Sequence, residues 1–387
     1  MKYHFVEHIK AICNIWKEEM KMVVKDQGVL LFLIIVPLSY PLLYSWIYNN
    51  EVAREVPVAA VDLSNSAMSR DFLRRCDATP DVDIRYHAGS MQEAKELMAQ
   101  HKIWGIYLIP ADFAIRIKRQ EQTTVKVYCD MSIMLYYKAL FQTATNVSFA
   151  INERIQTLQL HLPTSREEAI ATHPLTFDEV ALFNPSGGYG SFILPPVLIL
   201  IIQQTMILGV GMAAGTRRDK CAAASTGLRQ SPAHTLCGRT LCYFIISALV
   251  SLYLLVGIPR FFLFPALAGL RELVCMCLPL ILSVIFFSIS LSWLVRQREN
   301  VMLMVVFASV PLLFLSGISW PQSATSPFWQ TFASLFPSTF GIRAFVRVNT
   351  MGASIHEISS EIQALWIQTV LYGLLAYLST REEMKNR

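Results

Sequence analysis

The sequence predicts an α-helical membrane bundle of six transmembrane helices with an α/β domain inserted on the outer side. Three observations lead there. Only 16 % of the 387 residues are charged while 53 % are hydrophobic, and the mean hydropathy is +0.41; soluble domains sit near a quarter charged. The apolar residues are concentrated in six charge-free segments, and residues 50–186, between the first and second of these, have the composition of an ordinary soluble domain.

A hydrocarbon core of about 30 Å requires roughly 20 helical residues. Val29–Tyr48 meets this without a charge and ends in Trp46 and Tyr48, residues suited to the headgroup region. Pro37 and Pro41 predict kinks that neighbouring helices can absorb. With 28 residues before it and so long an apolar run, it does not read as a cleaved signal peptide. The other spans are Gly190–Ala213, Leu241–Ile258, Leu273–Leu294, Val301–Ile318 and Ile362–Leu378, each free of Lys, Arg, Asp and Glu.

Orientation follows from the basic residues in the connections. With the N-terminus inside, segments 1–28, 214–240, 295–300 and 379–387 are cytoplasmic and carry 15 Lys and Arg against 8 acidic residues. The short outer loops hold only Arg260, Arg271, Arg343 and Arg347. Both termini are therefore expected in the cytoplasm, with the chain multi-pass in a cell inner membrane. Before the first span, Phe5, Ile9, Ile12, Trp16, Met20 and Val23 recur at helical spacing, opposite Lys10, Asn14, Lys17, Lys21 and Lys25. Residues 1–28 thus read as an amphipathic helix at the cytoplasmic membrane interface, or as one docked on a partner protein.

Within the expected outer domain, 49–189, strands are predicted at Val56–Val61, Val82–Tyr86, Ile103–Ile109 and Thr124–Tyr128. Helices are predicted at Ser66–Cys76, Met91–Gln100, Asp112–Arg119 and Ile133–Leu160, with Ser90 and Glu93 in a capping-box pattern. The rhythm predicts a mixed sheet flanked by helices. Asp62, Asp130, His87 and His101 match no catalytic spacing, so the domain reads as a binding or docking module. Cys76 and Cys129 can pair only in an oxidising compartment. The eight cysteines show no CxxC spacing and read as small buried hydrophobes, not as a metal site. Asn146-Val147-Ser148 fits a glycosylation sequon but falls in a predicted helix.

No phosphate-binding loop GxxxxGK[ST] occurs, and no Gly-Lys pair exists anywhere, so the chain has no such route to a nucleotide. It is predicted to hold no cofactor, metal or catalytic residue, and no basic run interleaved with aromatics suggests nucleic acid. Inside the spans, Gln203 and Gln204 and Ser283, Ser288, Ser290 and Ser292 are the notable polar residues. They either stitch helices together or, for the glutamines, line a substrate path. Gly211 and Gly215 form a packing GxxxG. Carboxylate or histidine relays, which ion-coupled carriers use, are missing from the spans.

The stretch Leu315–Arg347 resembles the C-terminal pattern of type 2 ABC transporter permeases through Ser316, Gly317, Pro321, Pro327, Trp329, Leu335, Pro337 and Arg343. Ser-Gly and the prolines break the helix, and Phe328–Phe336 forms a return segment, 319–345 overall, at the outer leaflet. Loop 214–240 is similar to the family's coupling loop, with Arg217, Arg218, Asp219 and Lys220, then Leu228, Ser231, Pro232, Gly238 and Arg239. It departs from the family in the neutral stretch Cys221–Thr226. One span, a large insert and five more spans, 190–378, resemble the multidrug-exporter-like subgroup, as do Val56–Arg70 and Gly105–Phe113.

The resemblance implies the permease subunit of an ATP-driven exporter of a hydrophobic or amphipathic substrate. It implies a dimer with a second copy or a paralogue, docked on a separate ABC ATPase that carries ATP and Mg, and in some relatives a periplasmic adaptor and outer-membrane channel. A membrane-anchored sensor or assembly protein, whose outer domain binds a ligand or partner, is the alternative reading.

Overall fold

The computed structural model describes residues 2–49, 52–119, 121–160, 188–223, 231–294, 297–317, 320 and 324–385. The chain divides into two compact units, Met1–Glu51 with Ala181–Arg387, and Val52–Val180.

Among the described residues, the first unit contains an N-terminal helix, Lys2–Lys25, and six helices long and apolar enough to cross a membrane. These spans are Gln27–Ile47, Tyr189–Asp219, Pro232–Phe261, Leu270–Leu294, Arg298–Leu315 and Ser359–Lys385. Each overlaps the corresponding predicted segment, the first ending one residue and the fifth three residues short of it. The second span is the hub: 89 % of its most apolar stretch is buried, against 17 % for the fifth and 28 % for the first and sixth. Leu194, Leu198, Ile199, Ile202, Met206 and Val210 of the second span meet Tyr243, Leu254, Leu280, Val284 and Phe345 in one continuous core.

The expected GxxxG is a packing surface for the fifth span. A Cβ on Gly211 would lie 2.6 Å from Val301 Cγ1, and one on Gly215 would lie 3.2 Å from Arg298 Cβ. Only hydrogen at these positions allows the two helices this approach.

Proline shapes two spans in the same way. A π-helical turn at Leu31–Ile35 precedes Pro37, and another at Tyr253–Gly257 precedes Pro259. A proline ring clashes with the carbonyl four residues back and offers no N–H, and widening the preceding turn relieves both defects. The sequence predicts kinks at Pro37 and Pro41; the structure places the irregularity one turn earlier than Pro37.

Connections differ from expectation at both ends. Stretch 214–240, expected as a loop, is helical to Ala223 and again from Pro232, and 224–230 fall outside the described residues. The return segment contains two helices, Pro327–Ala333 and Pro337–Met351, each with its proline in the first turn. There the missing N–H costs nothing, so these prolines start helices where the sequence suggests only breaks.

The second unit carries a four-stranded sheet of order β2-β1-β3-β4, built from β1 Val56–Asp62, β2 Val82–His87, β3 Gly105–Ile109 and β4 Lys126–Cys129. β1 runs parallel to β2 and β3, and β4 is antiparallel to β3. Strand alternation sends Val56, Val58 and Ala60 to one face, against Phe72, Leu73 and Leu140. Ala59 and Val61 go to the other, with Ala94 and Ile106. Buried Tyr107 donates its hydroxyl hydrogen bond to the Leu140 carbonyl at 3.0 Å.

Asp62 is a capping group, accepting hydrogen bonds from Ser64 N and Asn65 N and from Ser69 Oγ at 2.6 Å. Ser66 and Ser69 form a reciprocal capping box that the sequence reading passed over. At the predicted box, Ser90 accepts from Glu93 N, while the Glu93 carboxylate accepts from Gly89 N. Cys76 and Cys129 are separate thiols, and burial pushes the Cys76 thiol up to about 12.

Gly211→Val should wedge the fifth span away from the second. We expect a loss of about 1–3 kcal/mol, read as a lowered melting temperature in detergent, with Gly257→Ala, whose nearest neighbour is 3.5 Å away, much milder.

Candidate functional site

Charged residues gather at the end of the bundle that carries both chain termini. Their anchor is three consecutive residues at the end of the second span, Thr216, Arg217 and Arg218, each bonded to a different element.

Arg217 forms an ion pair with Glu19 of the N-terminal helix. Their side chains are 12 % and 7 % exposed. The Tyr243 hydroxyl of the third span donates to the same Glu19 oxygen at 2.5 Å. Glu19 sits there because Ile15, Glu19 and Val23 form the buried stripe of their helix. Gly238 of the third span admits this helix: a Cβ would lie 2.7 Å from Ile15 Cγ2 and 3.1 Å from the Ile12 carbonyl. The N-terminal helix is thus docked on the chain's own third span, whatever else it touches.

Thr216 donates to Asp26 Oδ2 at 2.6 Å, and Arg298 of the fifth span donates to Asp26 Oδ1 at 2.6 Å and to Thr216 Oγ1 at 3.2 Å. Asp26 also caps the first span, accepting from Gly28 N and Val29 N at 3.1 and 3.3 Å. Burial acts to raise its carboxyl, but the hydrogen bonds from Thr216, Arg298 and Val29 outweigh it and hold the group below its ordinary value. Arg218 donates to the Ser292 carbonyl at 2.8 Å, in the last turn of the fourth span, where a cation suits the helix dipole. The third and sixth spans are tied by Arg239 and Glu383 at 3.0 Å, with Arg239 only 6 % exposed. His8 and His234 meet at 2.8 Å, a further link between the N-terminal helix and the third span.

The expected coupling residues therefore divide. Arg217 and Arg239 turn inward as internal ion pairs, Arg218 ties two spans together, and Asp219, Ser231 and in part Pro232 remain open to an outside partner. The Lys220 side chain lies outside the described residues. Glu19, Asp26, Tyr243, Arg298 and Glu383 escaped the sequence reading. A signal existed for Glu19, an acid in line with the apolar residues of an amphipathic helix.

At the opposite end, Ser316 donates to the Leu313 carbonyl at 2.6 Å and Gly317 takes a φ of 89°, ending the fifth span where the sequence predicts. Pro321 lies outside the described residues. Pro327 and Pro337 begin the return helices, and Arg343 lies over the Phe340 ring at 5.5 Å. Gln203 accepts from Ser338 N at 2.7 Å, bolting the second span to the longer return helix. Gln204 is 9 % exposed, and neither its amide oxygen nor its nitrogen has a hydrogen-bond partner among the described residues.

The sequence matches the ABC-2 family transporter protein family over residues 28–378, nearly the whole chain. The chain belongs to that family. It is a multi-pass membrane permease of an ABC transporter, a transport component that works with an ABC ATPase and is not itself the ATPase. No curated protein matches it. Within this ABC-2 permease, the matched region holds the described partners of the charged end except those on the N-terminal helix, Asp26 and residues beyond 378.

Two outcomes are expected. Glu19→Gln leaves a guanidinium buried without its counter-charge and should cost about 3–5 kcal/mol, while Tyr243→Phe should cost only about 0.5–1.5 kcal/mol, both read by thermal unfolding in detergent. Asp26 should be felt in acid. Its carboxyl is held below the ordinary 3.8, so its contribution is present above that value and disappears as pH falls through the lower folded value. A stability–pH profile of Asp26→Asn should lack that acid loss.

Proposed function

We propose that this permease exports a hydrophobic or amphipathic substrate from the cytoplasm or inner leaflet, as a multidrug-type efflux subunit in a cell inner membrane. It works as a dimer, with a second copy or a paralogue, and ATP and Mg are bound by the separate ATPase. Both termini face the cytoplasm, and unit Val52–Val180 faces outward.

The observation that carries this reading is the bonding of Thr216, Arg217 and Arg218 to three different elements. The ATPase presses on the segment between the second and third spans, where Asp219 and Ser231 are exposed. A push there reaches the N-terminal helix through Glu19, the first and fifth spans through Asp26 and Arg298, and the fourth through Ser292. Paired charges at low dielectric resist separation, so the inner halves move together and not one by one. At the far end, Gln203 carries the displacement of the second span to the return helix. Gln204, buried and without a partner among the described residues, contributes a hydrogen-bonding group to the substrate path that opens when the spans shift. In the outer unit, exposed Met131, Met134, Phe141 and Phe149 offer an apolar surface to a periplasmic adaptor leading to an outer-membrane channel.

Transport into inverted membrane vesicles, using a lipophilic fluorescent dye with the co-purified ATPase, tests the reading. Uptake should need ATP, survive collapse of the proton gradient, and fall at least about tenfold in Gly238→Val, equivalent to roughly 1.4 kcal/mol of lost coupling. A Ser225→Cys variant should react with a membrane-impermeant maleimide only after permeabilisation. Labelling of intact cells, or ATP-independent uptake, refutes the proposal.

A further inference from the structure

The N-terminal helix has a face that the bundle does not use. At 3.6 residues per turn, Lys10, Lys17, Lys21 and Lys25 fall within an arc of about 80°, opposite the buried Ile15, Glu19 and Val23. All four lysines are exposed, and none forms an ion pair among the described residues. One flank of this stripe is apolar: Ile9 and Val24 are 45 % and 59 % exposed, with half-buried Trp16 and Met20 between them. The acidic Glu7 shares the angle of Lys25 at the other edge of the stripe, and Glu18 lies just beyond it.

We infer that this stripe is a binding surface for the headgroups of anionic glycerophospholipids. The occupant follows from charge, neighbours and position. Four ammonium groups in a row attract a polyanionic surface at roughly 1 kcal/mol each. A lysine stem lies along apolar surface while its head reaches outward, and an adjoining apolar flank suits the boundary between headgroups and acyl chains. The helix is joined through Asp26 to the first span, which begins at Gln27, so its C-terminal end cannot leave the membrane surface. A water-facing protein would meet the lysines but leave Ile9 and Val24 in solvent. The inference rests on the reading that this end of the bundle lies at the inner membrane surface, and it adds a lipid requirement to that reading.

The test uses the full-length chain in phosphatidylcholine vesicles with a trace of spin-labelled phosphatidylglycerol or spin-labelled phosphatidylcholine. Electron paramagnetic resonance gives the relative association of each lipid with the protein. Wild type should prefer phosphatidylglycerol at least about threefold at low ionic strength, and the preference should shrink towards parity at about 0.5 M salt. The K10Q/K17Q/K21Q/K25Q variant should fall to within about 1.5-fold at low salt. The corresponding four-arginine variant should keep the preference, as should Arg260→Gln with Arg271→Gln, and an unchanged melting temperature verifies that the docked face is intact. A four-glutamine variant with wild-type selectivity, or a wild type without selectivity, overturns the inference. So does a variant that keeps its lipid selectivity but no longer co-purifies with the ATPase, since the stripe would then be a protein-docking face. No ATPase or nucleotide enters the lipid assay, so its outcome is independent of whether the chain exports anything.

Discussion

Everything at the charged end depends on keeping charges out of hydrocarbon without leaving them alone. The second span is almost wholly enclosed, and it ends in a hydroxyl and two guanidinium groups. Burying an unpaired charge is costly enough to unfold a marginal protein, so every neighbouring element supplies something: Glu19, Asp26, the Ser292 carbonyl. The geometry of those gifts sets where each helix must stand. Helix packing alone would tolerate sliding along an apolar interface, whereas a carboxylate 2.6 Å from a guanidinium does not.

The N-terminal helix consequently belongs to the bundle. Its composition suggests a raft lying on a membrane, yet one acid turned inward makes it a structural counter-ion. Its two environments are compatible because a helix offers separate stripes. Ile15, Glu19 and Val23, with Trp16, Met20 and Met22 beside them, pack against the bundle, and the lysine stripe stays exposed. At the other end the logic reverses. Gln203 spends its amide oxygen on Ser338 while its nitrogen stays unbonded, and Gln204 beside it finds no partner for either amide atom among the described residues.

Much of the fold was legible in the sequence because apolar spans, strand alternation and turn residues act over a few neighbours. The six spans, the four strands and the break at Ser316–Gly317 all follow from such local rules. The charged end was harder. Arg217 and Arg218 look like solvent-facing cations when read along the chain, and nothing local to Arg217 reveals an acid 198 positions earlier. Proline was ambiguous for a related reason: Pro327 and Pro337 start helices and Pro37 sits within one, and only the disposition of neighbouring backbone tells these roles apart. The serine pair Ser66 and Ser69 does by hydroxyl alone what the expected Ser-Glu pattern does with a carboxylate, so a search for glutamate misses it.

The widened turns at Leu31–Ile35 and Tyr253–Gly257 have a mechanical meaning. Each interrupts a span between its rigidly paired, charged end and the opposite half, and Tyr253 reaches across to the Leu38 carbonyl at 2.9 Å, yoking the two spans together. A helix loses stiffness where its ladder changes register, so bending concentrates there. The first and third spans then resemble two jointed levers with a shared pin, able to swing their far arms while their handles stay clamped.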